Sequence, residues 1–269
     1  MTVRLEKDGH VTTVIHSRAE TRNAMDPDSA DALVEAFLAF EDDDDAYVAV
    51  LWGEGWAFCA GWDLKYVAGV SPASLQRELA FPEQDPPDAN AVPRGPLGPT
   101  RLALSKPVVA AVAGPAVAGG MELALWCDIR IMEESAYLGV YCRRWGIPLI
   151  DGGTVRLPRL VGQGRALEII LTGRKVAAEE CLRIGACERV VPDGRSRAAA
   201  EAMAQDIARF PQVCVRADRR SAILQHGKTV REAMKYEWRN GQAPMREEAV
   251  DGATRFTGGL GRHDGYERI

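Results

Sequence analysis

Two short stretches hold residue types that can do chemistry together. "PAVAGGMELALWCD" (115–128) carries two adjacent glycines, Gly119 and Gly120, that lead into a helical run, with a carboxylate, Glu122, in its first turn. "GEGWAFCAGWDLK" (53–65) is a second glycine-bearing segment. Each follows a run that reads as a strand, so each forms a loop able to expose backbone N–H groups at a strand end. Glycine carries no Cβ and lets the backbone approach a ligand closely. Two N–H donors from separate loops, aimed at one oxygen, make an oxyanion hole. Glu122 lies three residues beyond Gly119, about one helical turn, where it can exchange a proton with the same substrate. The structural alternative is an acid that merely favours the positive end of the helix dipole.

Competing chemistries fail on detail. A dinucleotide fingerprint needs G-x-G-x-x-G, but Pro115 and Ala116 follow Gly114. The P-loop lysine pattern is absent, and these segments contain no G-x-S-x-G elbow. The histidines His10, His16, His226 and His263 form no HExxH pair. Cys59, Cys127, Cys142, Cys181, Cys187 and Cys214 form no CxxC pair. Free thiols in a reducing compartment and no metal site are therefore expected.

The 269 residues, 46% hydrophobic and 26% charged, describe a soluble globular chain: one large domain, or one domain with a helical appendage. A formal net charge of -5 argues against a nucleic-acid groove or an anionic membrane as the main partner. No apolar run approaches the roughly 20 residues of a transmembrane helix. "MTVRLEKDGH" at the N-terminus lacks a signal-peptide core, so a cytoplasmic location is expected.

The elements that must position these loops read as strands at 11–16, 47–52, 107–114 and 128–133. Between the first two lies a helix that Asp26 can cap, with Pro27 at its first position and Leu33, Phe37 and Phe40 on one face. The acid run Asp42 to Asp45 is a solvated helix end. Residues 71–100, rich in proline and alanine, read as a long loop: a lid, a binding loop or a mobile segment. Beyond about residue 158 the pattern is mainly helical, and Thr229 and Glu232 have capping-box spacing. An α/β core with a C-terminal helical extension is the predicted architecture.

"AFCAGWDLK", "KPVVAAVAGPAVAGGMELALWCDIRI" and "GGTVRLPRLVGQGRALEIILTGR" resemble the signature segments of the enoyl-CoA hydratase/isomerase family, also called the crotonase family. "NAM" (23–25) and "GACERVV" (185–191) resemble it too, and the likeness runs from about residue 3 to residue 225. The resemblance implies a spiral of β-β-α units with a C-terminal helical trimerisation region, divided here as a core over 1–195 and helices over 196–269. It implies a homotrimer or dimer of trimers that binds acyl-CoA thioesters, with CoA as the substrate's handle and no metal or redox cofactor. The donors would be the N–H groups of Trp62 and Gly119. Ala60, Gly61, Trp62, Asp63, Leu64 and Lys65 would run along the CoA, with Lys65 near its phosphates. Glu122 falls on one of the two catalytic glutamates of the hydratases. Phe256, in the C-terminal segment, is a candidate to approach the CoA.

One departure stands out. In an ungapped alignment Cys142 occupies the position of the second glutamate, and a thiol with a pKa near 8.5 is a poor substitute for a carboxylate. Asp151, in the adjacent loop, is the replacement candidate, although aspartate before glycine also suits a plain turn. Otherwise Glu122 works alone, which suits isomerisation or thioester hydrolysis, or the chain binds acyl-CoA with little catalysis. Trp62 and Trp145 read first as packing, and Arg143 and Arg144 as surface charges, with an inward arginine able to bind a carboxylated acyl group. Enoyl-CoA hydration is the expected reaction, with these alternatives open.

Overall fold

The strands alternate between two sheets, and this alternation brings the glycine loops together. The computed structural model describes residues 2–84, 86 and 88–261. Its N-terminal part runs β1 (Val3–Asp8), β2 (Val11–His16), α1 (Pro27–Asp42), β3 (Val48–Gly53), α2 (Leu64–Ala68) and α3 (Pro72–Glu78). The middle runs β4 (Val108–Val112), β5 (Pro115–Val117), α4 (Gly119–Trp126), β6 (Ile129–Glu133), β7 (Tyr137–Gly139), α5 (Gly153–Val161) and α6 (Gln163–Thr172). The rest is β8 (Lys175–Ala177), α7 (Ala178–Ile184), β9 (Arg189–Val191), α8 (Ser196–Ala208), α9 (Gln212–Leu224), α10 (Val230–Glu247) and α11 (Ala249–Thr257).

A six-stranded sheet has the order β1-β2-β3-β4-β6-β9, and a three-stranded sheet the order β5-β7-β8. Only β1 pairs antiparallel in the large sheet; β2, β3, β4, β6 and β9 are parallel neighbours. Strands β4 and β6 enter the large sheet while their successors β5 and β7 enter the small one, each pair followed by a helix. The expected strand 107–114 contains β4, and β5, which the sequence reading did not mark as a strand, follows it. The chain turns at Gly114, and its continuation belongs to the other sheet.

Asp26 caps α1 through Ser29 N–H at 2.9 Å, and Leu33, Phe37 and Phe40 are buried as their spacing requires. Residues 71–100 are not one loop. Ser71 caps α3, Pro72 opens it, and Arg94 then joins Glu78 of α3 at 2.9 Å and also pairs with Asp31 of α1. Helix α8 lies on the large sheet, its Ala200, Ala204 and Ala208 packed with Val48, Val50, Val109 and Ile131. It therefore belongs with the core. Its buried face is made of alanines, which carry only a weak apolar signal in the sequence. The extension proper is α9 to α11, with Val230, Met234, Trp238 and Met245 exposed on α10. The capping box forms in both directions between Thr229 and Glu232. All six cysteines are free thiols; Cys214 is exposed and the others are buried. Of the C-terminal residues, Arg262 and His263 lie outside the described ones.

Candidate active site

The two glycine loops are laced together by backbone. Cys59 N–H donates to the Pro115 carbonyl at 3.1 Å, and Val117 N–H donates to the Cys59 carbonyl at 3.0 Å. A second bridge joins Met25 and Trp62: Met25 N–H donates to Gly61 O and Asp63 N–H to Met25 O, each at 2.8 Å. The loop 60–63 is thus held on both sides. The N–H groups of Trp62 and Gly119 donate to no acceptor among the described residues. Gly61 sits against the second loop, since a Cβ there would fall 3.1 Å from Gly119 N.

The turn into α4 differs from the simplest expectation. Neither Gly119 nor Gly120 takes a positive φ; Ala118 does, at φ 54° and ψ -126°. A non-glycine residue held there costs about 1–3 kcal/mol. Gly119 is needed for space instead, because a Cβ would lie 2.2 Å from the Leu97 side chain.

Ala60, Trp62, Leu64, Pro96, Leu97, Ala118, Gly119, Glu122, Tyr141, Cys142, Trp145, Ile147, Pro148, Ile150 and Asp151 line one pocket of about 500 Å³, open mouth included. Its walls are apolar and aromatic, with two carboxyl groups as the exceptions. Glu122 is 2% exposed, and its Oε1 accepts from Asp151 N–H at 2.9 Å and Gly153 N–H at 2.8 Å. Two such donors favour the carboxylate. Burial opposes them and dominates, with the charge of Asp151 adding to it, and the Glu122 pKa rises to about 8. The group is poised between its forms near neutral pH, as acid/base catalysis needs.

Asp151 is equally buried, at 3%. Its Oδ1 accepts the Thr100 hydroxyl, and Leu97 N–H at 3.3 Å. Burial raises its pKa, opposed by those hydrogen bonds and by Arg101 and Arg156. Cys142, on the 3-10 turn Tyr141–Trp145, is buried in the same pocket. Burial, and then Glu122, push its thiol pKa up, so it stays protonated near neutrality. Trp145 lines the rim and is 67% exposed. Arg143 and Arg144 are exposed, and Arg144 stacks over the Tyr141 ring at 3.9 Å instead of entering the pocket.

Of the expected CoA-strip residues, Ala60, Trp62 and Leu64 line the pocket and Gly61 buttresses it. Lys65 is exposed on α2. Asp63 has structural work: it caps α2 through Lys65 N–H at 2.9 Å and pairs with Arg18 at 3.3 Å, and Arg18 also pairs with Asp26 at 3.1 Å. Residues the sequence did not single out are Leu97, Thr100 and Arg156, which hold or wall the site from more than 20 positions away from Glu122. Phe256 lies on α11, 56% exposed. Among the described residues no cluster of histidine, cysteine or carboxylate side chains could hold a metal, and no helix is long and apolar enough to cross a membrane.

The family model described as enoyl-CoA hydratase/isomerase matches residues 6–258. The chain is 34% identical over 224 residues to enoyl-CoA hydratase EchA19 of Mycobacterium tuberculosis, covering 81% of this chain and 78% of that one. It is 37% identical over 207 residues to carnitinyl-CoA dehydratase of Salmonella typhimurium, covering 76% and 74%. The crystal structure of an enoyl-CoA hydratase from Bacillus anthracis superposes with a TM-score of 0.85 at 28% identity, covering 96% of each chain. The protein is a member of the enoyl-CoA hydratase/isomerase, or crotonase, family.

Proposed function

We propose that this chain is an enoyl-CoA hydro-lyase, adding water reversibly across the double bond of a 2-enoyl-CoA thioester. The observation that carries the reading is Glu122: a buried carboxyl at an apolar pocket, one turn from the Gly119 N–H, with its pKa near neutrality. The thioester oxygen sits against the N–H groups of Trp62 and Gly119. They stabilise the enolate that forms when a nucleophile reaches Cβ; one such donor is worth about 10²–10³ in rate. Water gives its oxygen to Cβ and one proton to a carboxylate of the site, and a carboxylic acid delivers one proton to Cα. Glu122, with Oε1 fixed by two donors, uses Oε2 for this exchange. Asp151 is the second group, replacing the glutamate whose position Cys142 occupies.

Named relatives on both sides of the reaction, a hydratase and a dehydratase, support this reading. CoA enters as part of the substrate, and we propose no metal or redox cofactor. The exposed apolar side chains of α10 support an interface between copies of this chain, which we propose to form a trimer or dimer of trimers. One observation favours a second reading. Asp151 is tied to Thr100 and Leu97, which leaves Glu122 as the freer acid and suits double-bond isomerisation.

The deciding experiment follows loss of the enoyl-thioester absorbance of crotonyl-CoA, with Glu122→Gln and Asp151→Asn alongside. Loss abolished by both substitutions supports hydration by two carboxyls. Loss abolished only by Glu122→Gln supports a single acid. Binding of the thioester without turnover removes short-chain hydration and points to isomerase or thioester hydrolase substrates.

A further inference from the structure

Arg156, on α5, faces the pocket's carboxyl pair from behind. Its guanidinium makes two hydrogen bonds, from Nη1 to the Asp151 carbonyl and from Nη2 to the Thr100 carbonyl, each 2.8 Å. Among the described residues no carboxylate oxygen lies within 4.0 Å of it. The turn at 151–153 is built around this group. Gly152 has φ 95°, and a Cβ there would fall 2.2 Å from Arg156 Nη1. Both N–H groups that grip Glu122, those of Asp151 and Gly153, flank that glycine. Thr100, whose carbonyl takes the other arm of the fork, donates its hydroxyl to Asp151. One side chain thus fixes the donors of one carboxyl and the partner of the other.

The charges follow from the same geometry. A cation bonded only to neutral carbonyls in a partly buried site is favourable when negative charge lies near. Arg101 and Arg156 both favour an ionised Asp151, while burial of Glu122 and the charge of Asp151 oppose a second ionisation, so one carboxylate beside one protonated carboxyl is the favoured state. Burial pulls the Arg156 pKa down, and Glu122 and Asp151 pull it back up. Other groups that face the cluster are Arg101 on the 3-10 turn Pro99–Arg101, Arg159 one turn along α5, and the thiols of Cys59, Cys127 and Cys142.

We propose that Arg156 is a positioning residue of the site: by clamping the Asp151 and Thr100 carbonyls it holds the turn that grips Glu122 and keeps a single negative charge on the Glu122–Asp151 pair. The proposal rests on the reading of Glu122 as the acid/base group. Asp151, with its hydroxyl and N–H donors, holds the charge, and Glu122 holds the exchangeable proton.

The test is a pH titration of the protonated-carboxyl infrared band that disappears in Glu122→Gln, measured on the full chain without substrate. In Arg156→Gln its midpoint is expected to rise by about one unit, a tenfold change in proton affinity, and in Asp151→Asn to fall by a similar amount. A merely structural role would lower stability and leave both midpoints in place. A midpoint unchanged in Arg156→Gln overturns the proposal. If that variant does not fold, Arg156→Lys keeps the charge but loses the fork that holds the donors to Glu122, so its midpoint is expected to rise by about half a unit, less than in Arg156→Gln. A rise there of a full unit, or an unmoved midpoint in Asp151→Asn, overturns the proposal as well. The infrared band needs no turnover, so a chain inactive on crotonyl-CoA would refute the hydration reading while Arg156 is still decided.

Discussion

Glu122 and His16 are both 2% exposed and both titratable, and the fold treats them in opposite ways. Glu122 has two backbone donors on one oxygen and a pocket in front of it. His16, on β2, has no hydrogen-bond partner for either ring nitrogen among the described residues, and it lines no described pocket. Burial drives both toward neutrality, raising Glu122 to about 8 and lowering His16 to about 4, the latter helped by Arg18. Desolvation alone therefore does not distinguish a site from a core residue. Positioned donors and access to a cavity do.

The largest expected effect breaks the comparison at its catalytic end. Glu122→Gln should cost about 10³-fold in kcat on a turned-over enoyl-CoA, while His16→Leu should leave kcat within about twofold; steady-state rates on both variants check this. Next comes Gly119→Ala, whose new methyl collides with Leu97 and displaces the donor. A loss of about 10²-fold in kcat is expected, with affinity for a saturated acyl-CoA less affected. Cys142→Ser should change kcat by less than about fivefold, because a protonated thiol is not the second acid.

Stability against pH sharpens the contrast. In the native state Glu122 keeps its proton up to about pH 8, whereas the unfolded chain loses it near 4.5. Native His16 stays neutral down to about pH 4, whereas the unfolded chain protonates it near 6.5. Between about 4.5 and 6.5 the native state binds one extra proton at Glu122 and one fewer at His16, so their slopes cancel and these two groups give a plateau. Above 6.5 stability falls, by about 2 kcal/mol between pH 6.5 and 8. Glu122→Gln should abolish that fall. Below 4.5 stability drops as the unfolded chain takes up more protons. In His16→Leu that acid loss should shrink, with stability at pH 7 within about 1 kcal/mol of the parent because a buried polar group without partners is removed. Urea unfolding at pH 4, 5.5, 7 and 8 reads both limbs.

How much of this was legible in the sequence depended on distance along the chain. Gly119, Gly120 and Glu122 lie within four positions, and the strand before them is a plain apolar run, so loop, helix start and acid could be read together. The partners of Asp151 could not: Thr100 and Leu97 are 51 and 54 positions away, joined to it by folding and not by any local pattern. Arg156 reads as an ordinary polar residue of an amphipathic helix. The short strands β7, β8 and β9 have three residues each, too few for a period to show. Ala118 was hidden for another reason. Its left-handed backbone would be expected of a glycine, and two glycines stand beside it.

The lacing of the loops by Cys59 and Pro115–Val117 has a consequence for how this scaffold can diversify. The spacing of the Trp62 and Gly119 donors is set by main-chain rungs, which are indifferent to side-chain identity. Pocket-wall residues such as Tyr141, Trp145, Ile147 and Ile150 can then be exchanged while the two N–H groups keep their spacing, which under the proposed function admits new acyl groups. A lineage can thus explore substrates by repainting the walls of a room whose doorframe is fixed.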